Sequence, residues 1–269
     1  MNIIQSMFIL FCIMLVNPAT ASGIIENAQG MKFVRIPAGD FIMGTQNLQE
    51  ALSEIINPKA SEFKDETPAH KVVISRPFYI GRTEVTQQQW LVVMENKPGD
   101  AALWNHKDWQ QLPVTTISWF MAKAFVRELS KMDSQYNYRL PSEAEWEYVA
   151  KAGSPRLRPV TLVELEDHAW FIDNSGDVPH PVATRQANAF GVHDMLGNVW
   201  EWVEDWYFGN TYTAEARIDP VGPRQGKSKV RRGGSYHCPL HMVRPGYRSA
   251  NPPETRYDVF GLRVVAEPE

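Results

Sequence analysis

The sequence predicts one mixed α+β domain with little regular secondary structure, and three observations predict it. Capping signals mark only three helices, and every strand candidate is short. From Ser154 onward turn residues dominate, while aromatics remain frequent at 11% of the chain. A chain of this kind is held by packed loops and small sheets. Its 269 residues allow a sizeable core without disulfide staples, and no internal repeat or low-complexity block divides it. The domain is read from about residue 28 to 266.

The elements follow in order. Phe33-Val34-Arg35-Ile36-Pro37 and Gly39–Gly44 read as two short strands around a turn. Residues 46–70 are polar and irregular and read as a loop, and Val72–Ile80 is a further strand region. Thr86 with Gln89 forms a capping box ahead of Trp90, Leu91 and Met94, with Pro98 as the stop. Ser118 caps Trp119–Met132, where Ala122, Phe125 and Leu129 share one face. Ser142 and Glu145 form a second capping box, with Gly153 past the helix end. Short strands are expected at Val199–Val203 and Val259–Val265.

The first residues address export. Met7–Val16 is an apolar run too short to span a bilayer, which needs about 20 residues. Asn17-Pro18 ends it and Ala19-Thr20-Ala21 supplies a small-residue cleavage site, so residues 1–21 read as a signal peptide. The expected location is periplasmic or secreted, with no stable membrane insertion after cleavage. Of the two cysteines, Cys12 leaves with the signal and Cys238 remains. The formal charge of −4 argues against a nucleic-acid partner.

Two segments carry candidate chemistry. Asp194 and Glu201 flank Gly197 in a loop that ends in tryptophans; it is either a hard-cation site of carboxylates and carbonyls or a solvated acidic loop. Arg231-Arg232-Gly233-Gly234-Ser235-Tyr236-His237-Cys238-Pro239-Leu240-His241 sets paired glycines before a lone thiol between two histidines. Cys238 is either a nucleophile or soft-metal ligand or a small buried residue. Arg244, Arg248, Arg256 and Arg263 bind anions or, as the better reading, pair with acidic loops.

Together these segments resemble the formylglycine-generating enzyme, or sulfatase-modifying factor, family. The resemblance runs from Phe33 to Val265. It is carried by Ile36-Pro37-Ala38-Gly39, Glu84-Val85-Thr86, Tyr138-Arg139-Leu140-Pro141-Ser142-Glu143-Ala144-Glu145-Trp146, Asn188-x-Phe190-Gly191, Gly197-Asn198-Val199-Trp200-Glu201-Trp202, Arg232-Gly233-Gly234-Ser235 and Gly261-Leu262-Arg263. It implies a C-type-lectin-like α+β fold. It also implies calcium on the side chains of Asp194 and Glu201 and the carbonyls of Gly197 and Val199.

The family reaction oxidises a sulfatase cysteine with O₂ and Cu(I) held by two thiolates. Cys238 matches the first thiolate and Ser235 lines the site, but the second position is Val243, and one thiol does not make a bis-thiolate centre. The resulting expectation is an exported oxygen-dependent oxidoreductase acting on a protein or small-molecule client. Cys238, Ser235, His237 and His241 form its catalytic set, with copper or iron as the possible metal at Cys238. Two other readings stand beside it. One is a pyoverdine-maturation-type oxidoreductase without the copper thiolate pair. The other is a non-catalytic binding or maturation factor whose recognition face comprises Tyr236, His237, His241, Arg244 and Tyr247.

Overall fold

The computed structural model describes residues 23–53 and 63–268. The apolar run at Met7–Val16, the cleavage pattern and Cys12 lie outside the described residues. In chain order the elements begin with β1 (Ile24–Glu26), β2 (Lys32–Ile36), β3 (Gly39–Met43), α1 (Leu48–Ser53), β4 (His70–Ile74) and β5 (Phe78–Gly81). Then come α2 (Gln87–Met94), α3 (Ala101–Trp104), α4 (Trp119–Met132), β6 (Tyr136–Arg139), α5 (Glu143–Lys151) and α6 (Leu165–His168). The chain closes with β7 (Trp200–Trp206), β8 (Arg217–Ile218), β9 (Lys229–Arg232), β10 (Ser249–Asn251), β11 (Phe260–Leu262) and β12 (Val265–Pro268).

Strands gather into three small sheets, ordered β1-β2-β5-β12-β6, β10-β9-β7-β11 and β3-β4-β8. The first sheet joins both ends of the domain, because β12 runs antiparallel between β5 and β6. The second carries both candidate segments, with Glu201 of β7 opposite Arg232 of β9.

The caps act as the sequence requires. Both capping boxes form, Thr86 with Gln89 and Ser142 with Glu145, and the Ser118 side chain accepts from the Met121 N–H. These interactions are three residues long, so they are local enough to read from sequence. The α2 helix stops earlier than Pro98, because Glu95 takes a left-handed C-cap. The predicted face of α4 buries Ala122, Phe125 and Leu129, and Phe125 stacks on Trp90 at 5.3 Å. Three expectations need correction. Part of the predicted 46–70 loop is the helix α1, the stretch 72–80 breaks into β4 and β5, and the strand expected over 259–265 breaks into β11 and β12.

Polar side chains on α5 are buried as deeply as its tryptophan. Glu143, Glu147 and Lys151 all lie inside, along with Trp146. Glu147 pairs with Arg232 and with Lys151 and accepts the Gly44 N–H at 2.7 Å. Glu143 takes Arg248 at 2.7 Å and Arg232 at 3.3 Å. Breaking one member of such a buried pair costs about 3–5 kcal/mol, because the survivor is left as an unpaired charge.

Asp205 sits at the edge of this network, where its Oδ2 accepts the Glu143 N–H at 2.7 Å. Burial, with the Glu143 carboxylate beside it, pushes its pKa up to about 8. A carboxyl raised in the folded state stabilises the protein at low pH, and that contribution is lost as pH rises through the folded value. Wild type should therefore lose about 1–3 kcal/mol relative to Asp205→Asn between pH 5 and 8. Urea melts of both proteins across that range check it. Parallel pH profiles would remove Asp205 as the titrating group.

Candidate functional site

The site begins where β9 ends. After Arg232 the chain turns through Gly233 and Gly234, with φ of +100° and +79°. The conformation and the space both call for glycine: added Cβ atoms would lie 3.2 Å from Trp146 Cζ2 and 3.3 Å from Val243 Cγ2. The turn delivers Ser235 and Cys238 into the interior. The Cys238 N–H donates to the Ser235 carbonyl at 2.9 Å, and Ser235 Oγ lies 3.3 Å from Cys238 Sγ. Cys238 is 6% exposed and is the free cysteine among the described residues.

Electrostatics at the sulfur are mixed. Burial pushes the Cys238 thiol up, while hydrogen bonds from Ser235 and the Trp200 side chain and the charge of Arg231 pull it down. Burial wins, so the resting group is a thiol. His237 turns the other way, to the surface, where it pairs with Asp177, and that carboxylate raises its pKa. The His241 ring packs edge-on against Tyr247 at 6.4 Å.

The acidic loop is hydrogen-bonded to this segment. The Gly197 N–H donates to the Gly233 carbonyl at 2.8 Å, and the Tyr236 N–H donates to the Asn198 carbonyl at 2.7 Å. Gly197 is obligatory, since a Cβ there would stand 2.0 Å from the Trp170 carbonyl oxygen. The loop after Ala169 covers the other side: Ile172 N–H donates to the Cys238 carbonyl, and Ser175 Oγ donates to the Tyr236 carbonyl. The two segments singled out in the sequence are thus one structural unit.

The carboxylates inside that unit fall into two groups. Glu201 accepts from Arg263 Nη2 at 2.7 Å and from Trp146 Nε1 at 2.7 Å, and both its oxygens receive Arg263 Nε. Asp194 is 3% exposed and its Oδ2 accepts the Ala183 N–H at 2.7 Å. Beside it lies Glu84, a residue that appeared in the sequence only as part of a motif. Glu84 Oε1 accepts from Asn198 Nδ2 at 3.1 Å, while the buried Oε2 has no partner among the described residues. Burial and the neighbouring Asp194 push Glu84 well above the usual carboxylate range, and burial raises Asp194 as well.

Three buried carboxyls therefore share Arg263, whose hydrogen bonds to carboxylate go to Glu201. The unpartnered oxygen of Glu84 beside the raised Asp194 calls for a shared proton or a hard cation, and Glu201, committed to Arg263 and Trp146, stands apart from them; no group of three His, Cys, Asp or Glu residues that could hold a metal ion occurs among the described residues. The copper donor set does not fit. Val243, at the second thiolate position, is a fully buried apolar side chain.

The arginines resolve as pairs for the most part. Arg244 binds Glu66, Arg248 binds Glu143 and Arg263 binds Glu201, whereas Arg256 donates to the Thr116 carbonyl. The predicted recognition face needs correction on the same ground. Tyr236 and Arg244 are buried at 6% and 1% exposure, held there by backbone pairing and by Glu66, so they present no surface.

Residues 21–268 match the family model described as the sulfatase-modifying factor enzyme 1-like domain. The chain belongs to that family. Among its relatives is the formylglycine-generating enzyme of Streptomyces coelicolor, 28% identical over 86% of this chain and 88% of that one. Among solved structures it is similar to PvdO from Pseudomonas aeruginosa, with a TM-score of 0.74 and 27% identity over 92% of this chain and 99% of that one. It is equally similar to Treponema denticola variable protein 1, with a TM-score of 0.74 and 27% identity over 88% and 95%. The fold is accordingly the α+β, C-type-lectin-like fold of the sulfatase-modifying factors.

The thiol chemistry is measurable. Cys238 should alkylate with iodoacetamide at pH 7.5 at least about fivefold more slowly than a free cysteine, since it is buried and protonated. Ser235→Ala removes a hydrogen bond that favours the thiolate and should move the midpoint of the rate–pH curve higher. A midpoint below that of free cysteine would contradict the burial argument.

Proposed function

We propose that this chain is an exported oxidoreductase of the sulfatase-modifying factor family that uses O₂ on a protein or small-molecule client without a copper bis-thiolate centre. The observation that carries the reading is the Ser235–Cys238 pair, set into the core by the Gly233-Gly234 turn. A buried pair built on a closely packed glycine turn places a reactive group at a fixed position, which is what a reaction with a bound client needs. His237 pairs with Asp177 at the surface, suited to exchanging protons with solvent.

The test is O₂ consumption by the purified chain with a cysteine-containing sulfatase peptide, alongside Cys238→Ala and Ser235→Ala. A thiol-dependent reaction loses at least about 100-fold in Cys238→Ala. Retained turnover in that variant would transfer the chemistry to other residues, as in the pyoverdine-maturation-type reading. Absence of turnover in wild type, with tight client capture, would make the chain a binding factor.

The same reading includes calcium as a structural cofactor. Asp194 and the carbonyls of Gly197 and Val199 would hold it, with Glu201 secondary because its oxygens serve Arg263 and Trp146. The ion would neutralise the charge that Glu84 and Asp194 bring into the interior. Chelation should lower the melting temperature by several degrees in wild type and by less in Glu84→Gln, which retains the Asn198 contact and removes a charge. Melting unchanged by chelator would defeat the calcium assignment.

A further inference from the structure

Arg231 differs from most of the deeply placed arginines of the domain. Arg139, Arg232, Arg244, Arg248 and Arg263 all hold carboxylates. Arg231 holds none among the described residues. Its Nε donates to Asn251 Oδ1 at 2.8 Å, and its guanidinium lies over the rings of Trp200 at 4.6 Å and Phe260 at 4.2 Å. Neither Nη atom has an acceptor among the described residues, and the side chain is partly open to solvent.

Alternation along β9 explains the difference. Arg232 points into the α5 carboxylates, so Arg231 points to the opposite face of the sheet, where the ring of Trp200 receives it. Trp200 and Phe260, on which the guanidinium rests, share one core cluster with Cys238. A guanidinium fixed between an amide and two aromatic rings keeps a planar fork of donors at a set orientation, which is the geometry that takes a carboxylate bidentately.

The geometry points to Arg231 as an anion-binding group beside Cys238, built to receive a carboxylate of the client. This deepens the function proposed above by naming the client's chemical class, and it rests on that reading only for the identity of the client. Burial without a counter-charge pulls the Arg231 pKa down to about 10, as for a cation that lacks its partner. A bound carboxylate would supply that partner, gaining strength from the desolvated aromatic walls.

The probes are acetate, inorganic phosphate and neutral acetamide, titrated into ¹⁵N-labelled protein at constant ionic strength. The readouts are the Arg231 Nε–H and Trp200 indole N–H cross-peaks, assigned through Arg231→Lys and Trp200→Phe. Acetate should shift both with half-saturation at about 1–30 mM, and acetamide should give no saturable shift. Arg231→Met should abolish the Trp200 response to acetate. No saturable acetate shift overturns the site, and tighter binding of phosphate than acetate overturns the carboxylate assignment. Should Arg231→Met fail to fold, the acetate-against-acetamide comparison in wild type decides alone. Cys238→Ala should keep the acetate response, so loss of the oxidoreductase reading and loss of the anion site are separate results.

Discussion

Burial of guanidinium groups governs this domain. Arg232, Arg244 and Arg263 are among its largest fully buried side chains, in a fold with three small sheets and short helices. Removing such an ion from water costs several kcal/mol even after relaxation, so each must find a carboxylate and further acceptors. Arg263 therefore draws Glu201, the Gly81 carbonyl and the His193 carbonyl to one point. Arg232 does the same for Glu143, Glu147 and the Pro245 and Gly246 carbonyls. Loops that lack ladder hydrogen bonds are ordered by these arginines instead, and the Gly233-Gly234 turn follows directly from one of them.

That dependence separates what could be read from the sequence from what could not. Thr86, Ser118 and Ser142 were legible because a cap acts across three residues and its geometry is intrinsic to the helix end. The strands β6, β9 and β10 were not, since each is short and its pairing is decided by chain far away, as in Tyr138 opposite Ala266. Cys238, Ser235 and the acidic loop could be singled out by residue type and spacing. Glu84 escaped because an acid before a helix cap looks like any surface carboxylate. Its burial beside Asp194 arises only when segments 110 residues apart meet. Arg231 and Arg232 show the limit most plainly: identical neighbours in sequence, they are sent by strand alternation to a carboxylate network and to an aromatic wall.

The charge balance at the sulfur constrains any chemistry drawn from it. Three influences favour the thiolate, from Ser235, Trp200 and Arg231, yet desolvation outweighs them and the thiol persists. Reactive thiolates elsewhere occupy electropositive and partly exposed surroundings. Here the electropositive neighbour is present and the exposure is missing. The sulfur therefore ionises only where something else arrives to stabilise the anion, and the buried Val243 offers no second thiolate for a copper site of the family type.

An anion at Arg231 changes that balance in a definite direction. A carboxylate seated on the guanidinium cancels the positive charge that Cys238 feels, so the thiol becomes harder to ionise while the client is bound. Free-thiolate attack on an anionic client is then the least favoured use of this site. On the proposed reading, the favoured use is one in which the sulfur stays protonated and donates a hydrogen bond toward a bound client, with Ser235 fixing its orientation. On the same reading, the positive group near the cysteine serves the client's charge rather than the cysteine's, and a neutral thiol is paired with a cationic clamp.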